Sequence, residues 1–113
     1  GLWVRLVDVG AALELRSYMN SGRLVLEVQD GLCPWNEGRF ELEGSLEGAT
    51  CRASNASPDI GLSVADLASV FMGAVSFSTL SQAGRVDERT PGALLRADLM
   101  FAVQSQPWTP VNF

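Results

Sequence analysis

The clearest alternation in the chain is Arg39-Phe40-Glu41-Leu42-Glu43, where Phe40 and Leu42 point to one side and three charges to the other. A period of two is that of a strand with one buried and one solvated face. Leu24-Val25-Leu26-Glu27-Val28 predicts another strand, with Leu24, Leu26 and Val28 inward, and Asp30-Gly31 begins the loop that follows. Gly44 to Gly48 reads as a hairpin connection to a strand over Ala49 to Ala53. The polar link Ser54 to Asp59 leads to a short strand at Ile60 to Leu62. At the start of the chain, Leu2, Val4 and Leu6 fall on one face of a strand and Trp3 and Val7 on the other. A strand apolar on both faces belongs in an interior or under another domain.

The period then changes to that of helices. Asp8 can cap a helix from Val9 to Met19, with Ala12, Leu13, Leu15 and Met19 as its apolar face and Asn20-Ser21-Gly22 as its end. Ser63-Val64-Ala65-Asp66 has the form of a capping box. Val64, Leu67, Ala68 and Phe71 repeat at helical spacing behind it, and Gly73 can supply a left-handed cap. A shorter helix is expected from Ser76 to Ala83. Thr90-Pro91 announces a last one, to about Ala102, with Leu94, Ala97 and Phe101 on one face. The order of elements is that of an α+β fold, with helices packed against one face of a mostly antiparallel sheet. No repeat or change of composition divides residues 1–113, so one domain is expected.

Composition narrows the chemistry. The 113 residues are 47% hydrophobic and 19% charged, within the range of packed domains. A net charge of −5 argues against a nucleic-acid backbone as partner, since that contact depends on clustered Lys and Arg. No run of side chains is apolar and long enough for a membrane span. Histidine is absent, which rules out Ser-His-Asp and Cys-His catalysis within the chain and removes the commonest metal ligand. Cys33 and Cys51 have neither the spacing nor the number of a zinc site; they read as two unpaired buried thiols, with a disulfide between them as the alternative. All eight basic residues are arginine, as high-GC codon usage would produce.

From Leu99 to Phe113 no side chain is charged, and the chain closes on Pro107-Trp108-Thr109-Pro110-Val111-Asn112-Phe113. Two prolines restrict this tail, while Trp108, Val111 and Phe113 supply apolar surface with which it could dock. A docked tail would hold a terminal carboxylate at a fixed place. The opening Gly1-Leu2-Trp3-Val4, without methionine, reads as a piece of a longer polypeptide or as a processed precursor.

Several segments together carry a resemblance: Leu2-Trp3-Val4-Arg5-Leu6-Val7-Asp8-Val9 before a short helix, Cys33-Pro34-Trp35-Asn36 with Gly38-Arg39, Asp66-Leu67-Ala68 through Gly73, and Ala83-Gly84-Arg85-Val86. In this order and spacing they resemble the C-terminal, sterol carrier protein-like domain of the enhanced intracellular survival family of aminoglycoside N-acetyltransferases. The resemblance implies that two acetyltransferase domains of the GCN5-related fold precede this domain and that acetyl-CoA is the cosubstrate of the parent protein. It also implies a small amine acceptor such as an aminoglycoside, a homo-oligomer, and a bacterial cytoplasmic location. For the site, it implies that the α-carboxylate of Phe113 enters the acetyltransferase active site as a catalytic base, with the ring as its anchor. Asn112 is then placed against the substrate, where an acidic residue would suit a polycation better. The tyrosine that protonates the leaving thiolate is expected in the missing domains, and Tyr18 is read as a packing or surface residue.

Other readings remain open at this level. Trp108 and Phe113 could simply be packing residues that close the sheet or contact a neighbour, and Trp35 could cover the local core or meet a neighbouring domain or subunit. Arg89-Thr90-Pro91-Gly92 has the bare spacing of a coenzyme pyrophosphate loop, but Pro91 removes a donor and no clear strand precedes it, so the spacing is read as chance. Glu41 with Glu43 and Asp87 with Glu88 are expected to be solvated charges. An independent carrier of a sterol or acyl chain would use Phe71, Met72, Phe77, Met100 and Phe101 to line a tunnel, although the same residues could fill it. A third possibility is a structural module of a hexameric assembly.

Overall fold

The structure is a computed structural model that describes residues 8–31 and 37–102. The expected strand over Leu2–Val7, the Cys33–Asn36 loop with Trp35, and the tail with Trp108, Asn112 and Phe113 lie outside the described residues. Within them the chain runs α1 (Val9–Glu14), β1 (Gly22–Gln29), β2 (Gly38–Ser45), β3 (Gly48–Ala53), β4 (Ile60–Ser63), α2 (Val64–Phe71), α3 (Phe77–Gln82), β5 (Asp87–Glu88) and α4 (Ala93–Phe101). The five strands form one sheet in the order β3-β2-β1-β4-β5. All neighbours are antiparallel except β1 and β4, which run parallel with Leu26 opposite Ile60 and Val28 opposite Leu62. This is the α+β architecture that the alternation and the helical repeats predict.

Register decides which face is apolar. Leu24 lies opposite Leu42 and Leu26 opposite Phe40, so the inward residues of β1 and β2 meet on one side with Ile60 and Leu62. Val9, Leu13, Leu67, Ala68, Phe77, Ala97 and Phe101 from the helices close that side into a single core. Ser63 caps α2 by accepting from the Asp66 amide, and Gly73, at φ 80°, follows its C-terminus as expected. Ser76 caps α3 in the same way, through the Thr79 amide.

Two helices are shorter than their sequence patterns. Asp8 caps α1, accepting from the Ala11 amide at 3.0 Å, but the helix ends at Glu14. Its buried residues are Val9 and Leu13, whereas Leu15 is 86% exposed. The cause is Tyr18, whose amide donates to the Ser45 carbonyl at 2.8 Å and whose hydroxyl donates to the Leu13 carbonyl at 2.7 Å. These bonds turn the chain inward and bury the ring completely. A helix continued to Met19 would carry Tyr18 away from both partners. At the other end of the chain, α4 begins at Ala93 because Gly92, at φ 84°, takes the cap position. Thr90 and Pro91 form the turn before it, with the Ala93 amide bonded to the Thr90 carbonyl at 3.0 Å.

The second sheet face is charged and paired, where solvated charges were expected. Glu41, only 11% exposed, accepts from Arg23 at 2.6 Å and lies 3.5 Å from Arg52. Glu27 lies between Arg39 at 3.2 Å and Arg89 at 2.9 Å. Hydrogen bonds from these guanidiniums hold both carboxyls below the ordinary carboxylate range. Arg89 reaches Glu27 across Gly61, where an added Cβ would stand 2.8 Å from the guanidinium nitrogen. The sheet edges are blunted as well. β5 is two charged residues long, and at the β3 edge the Glu14 carboxylate accepts from the Cys51 amide at 2.9 Å.

Two predictions follow from this packing. A Cβ on Gly44 would run into the Tyr18 ring from the strand beneath it. Gly44→Ala is therefore expected to cost about 1–3 kcal/mol in chemical denaturation, since neither a strand nor a buried ring can move aside cheaply. Burial, with Glu14 and Asp8 nearby, pushes the Cys51 thiol up to about 11. At pH 7.5 its thiolate population is then about 300-fold below that of an ordinary cysteine. Alkylation of Cys51 should be correspondingly slow and should keep accelerating with pH beyond 9.

Candidate functional site

The residues expected to carry chemistry, Asn112 and Phe113, follow α4, so the described part of the site is the platform from which the tail departs. Helix α4 ends at Phe101, and Ala102 continues in an extended conformation with ψ 138°. The last carbonyls of a helix need outside donors. Here Met100 receives the Met19 amide at 3.1 Å and Leu99 receives the Asn20 side-chain amide at 2.7 Å. Phe101 packs edge-on against Tyr18 and Phe77, with ring centroids 5.0 Å apart in each case. Such edge-to-face pairs set ring orientation as well as burying area.

Asp98 ties α4 to α3. Its carboxylate accepts from the Phe77 amide at 2.8 Å, from the Ser78 amide at 3.3 Å, and from the Ser78 hydroxyl. Arg16 joins α1 to α2 beside this cluster. Its Nη1 donates to the Phe71 carbonyl at 3.0 Å, and its guanidinium carbon lies 5.1–5.4 Å from the ring centroids of Tyr18, Phe71 and Phe101. Beside Ala102 there is a depression of about 470 Å³, with Val70, Val75 and Phe101 as apolar lining and Ser76, Thr79 and Asp98 as polar lining. Neither Arg16 nor Asp98 was singled out by sequence reading. Their hydrogen-bond partners on other helices lie 20 to 55 residues away in the chain, a separation that carries no local signal.

The other candidate residues have structural employment. Tyr18 is sealed in the core, and burial pushes its hydroxyl well above the ordinary phenol range. The Arg89-Thr90-Pro91-Gly92 segment does follow a short strand, β5, but it does not form a phosphate cradle. The Glu88 carboxylate accepts from the Leu94 amide at 3.0 Å at the start of α4, and Arg89 is committed to Glu27 and Asp87. A coenzyme pyrophosphate would meet a carboxylate there, so this segment does not fit the group. Glu88 and Asp87 are therefore bound to the protein's own groups. Among the described residues, no group of three or more His, Cys, Asp or Glu is placed to hold a metal ion, and no helix is long and apolar enough to cross a membrane.

Comparison with known proteins places this geometry. Residues 9–110 match the sterol carrier protein domain family. An uncharacterized N-acetyltransferase of Streptomyces avermitilis is 51% identical over 112 residues, which are 99% of this chain and 27% of that protein. The N-acetyltransferase Eis of Mycobacterium tuberculosis is 37% identical over 116 residues, again 27% of its length. Among solved structures, Eis1 from Mycobacterium abscessus superposes with a TM-score of 0.82 at 42% identity, covering 93% of this chain and 26% of that one. A GCN5-related N-acetyltransferase from Anabaena variabilis gives 0.81 at 32% identity, covering 89% and 26%. The chain thus spans about a quarter of the length of the relatives it matches. With its sheet order, core and platform accounted for along nearly the whole match, this chain belongs to the sterol carrier protein domain family, in the form carried by Eis-type N-acetyltransferases.

Proposed function

We propose that this chain is the C-terminal accessory domain of an acetyl-CoA-dependent N-acetyltransferase and that its tail completes the active site of the acetyltransferase domains. The observation that carries this reading is the match of nearly the entire chain to about a quarter of N-acetyltransferase sequences. In this reading the coenzyme is held outside the present domain, consistent with the occupied amides and guanidinium of the Glu88–Leu94 segment.

Where Phe113 closes the polypeptide, its α-carboxylate is the base and its ring the anchor, with Asn112 lying against the acceptor. An ammonium has no lone pair with which to attack a thioester, so the acceptor must first lose a proton to a nearby group. A free α-carboxyl has a pKa of about 3.3–3.7, and burial under another domain raises it toward a useful value. The same negative charge attracts a polycationic amine of the aminoglycoside type. The chain contains no histidine to compete for the role. Supports for the tail are the capped end of α4 and the extended exit at Ala102. Homo-oligomeric assembly and a cytoplasmic setting belong to the same proposal.

The family's description favours one second reading, a carrier of a sterol or acyl chain. The residues such a tunnel would need give it little support. Phe77, Met100 and Phe101 are buried in one core, with Phe101 packed edge-on against both Phe77 and Tyr18, and Met72 is 63% exposed. Saturable, stoichiometric lipid binding by the parent protein would favour the carrier.

The decisive test is to add one glycine after Phe113 in the full-length enzyme. Displacing the carboxylate is expected to lower kcat about 100-fold or more while leaving the protein folded, and to remove the acid limb of the pH–rate profile. Unchanged turnover would exclude the carboxylate as base.

A further inference from the structure

Arg16 is placed unlike any other arginine among the described residues. Arg23, Arg39, Arg52, Arg85, Arg89 and Arg96 each lie within 4 Å of a carboxylate. Arg16 has no such partner there. Its half-buried guanidinium is held instead by three aromatic rings and by the Phe71 and Ser17 carbonyls. The two residues that flank this contact along the chain, Leu15 beside Arg16 and Met72 beside Phe71, are among the most exposed large hydrophobic side chains, at 86% and 63%. A cation with no carboxylate partner among the described residues, on an aromatic floor and adjoined in the chain by exposed Leu and Met, has the composition of an interface centre. In water this arrangement leaves apolar area unburied and a cation with no carboxylate within 4 Å among the described residues.

We infer that the Leu15–Arg16–Met72 surface is a docking site for the acetyltransferase part of the same polypeptide, which presents a carboxylate to Arg16 amid apolar side chains. The inference rests on the reading of this chain as one domain of a longer acetyltransferase. About three quarters of the relatives' length lies outside the matched region, so a covering partner is covalently at hand at high effective concentration. Charge selects the chemistry of the contact. Nη1 of Arg16 is used on the Phe71 carbonyl and Nε lies 3.5 Å from the Ser17 carbonyl, and the N–H groups that remain suit a carboxylate. The three rings hold the guanidinium ready, so little side-chain entropy remains to be lost on docking.

The test uses the full-length protein and reads accessibility, not activity. Leu15→Cys and Met72→Cys are introduced singly, and their alkylation rates are compared with that of an unstructured cysteine peptide, after subtraction of the slow background of the native thiols. The inference expects both sites to react at least tenfold slower than the peptide, independently of protein concentration. Arg16→Glu placed in each cysteine background should bring the rate back to within about threefold of the peptide, with the far-UV spectrum unchanged. Rates near the peptide's in the Arg16 protein would overturn the inference. Protection that appears only as protein concentration rises would assign the surface to a second copy, and protection lost on deleting residues 103–113 would assign it to the tail; either result overturns the stated partner. If the glycine extension after Phe113 leaves turnover intact while labelling stays slow, the catalytic reading fails and the docking site stands.

Discussion

The fold depends on closing one open stretch of strand. β1 is the centre of the sheet, yet its parallel neighbour β4 begins only opposite Leu26, which leaves the Gly22–Val25 half of that edge without a strand beside it. Asp59 fills the gap. Its amide donates to the Val25 carbonyl at 2.7 Å, and its carboxylate accepts from the Val25 amide at 2.9 Å. Arg96 from α4 completes the edge by donating to the Arg23 carbonyl at 3.1 Å while standing 3.4 Å from the Asp59 carboxylate. The Asp59 carbonyl meanwhile accepts from the Arg89 and Thr90 amides. One residue therefore joins β1, the β5 turn and α4, at a place where unmet backbone groups would each cost about 1–3 kcal/mol.

That closure has a consequence for the tail. With α4 fixed to β1 through Arg96, to α3 through Asp98, and to the α1–β1 connection through Met19 and Asn20, the last helical turn has little freedom. Phe101 is wedged between Tyr18 and Phe77. The chain after Ala102 thus starts from a rigid point, which is what a carboxylate delivered to a neighbouring catalytic cleft would require.

The division of labour explains why a domain with so little catalytic equipment is coherent. Its interior is filled by rings and aliphatic side chains, its second sheet face is neutralised by paired Arg and Glu, and its edges are blocked. Under the proposed function, chemistry falls to the tail and to the domains this one would touch. The same logic marks the Arg16 surface as exceptional, because every other described arginine is balanced within the fold.

Local pattern was sufficient for much of this. The alternation at Arg39–Glu43, the inward Leu24, Leu26 and Val28, the Ser63 and Ser76 caps and the Gly73 stop are short-range matters of period and capping, and each could be read from a few neighbouring residues. The absence of histidine and the uncharged tail likewise bounded the chemistry without coordinates. Long-range geometry was needed where distant residues compete with local preference. α1 ends early because Tyr18 gains Ser45 and Leu13 as partners, Glu41 is a paired centre because β1 and β3 bring arginines to either side of it, and Leu15 is exposed because the helix it was meant to extend stops short. Asp59, Asp98 and Arg16 act through partners dozens of residues away. Periodicity reports on a residue's neighbours along the chain, and only the folded structure brings together groups that the chain keeps apart.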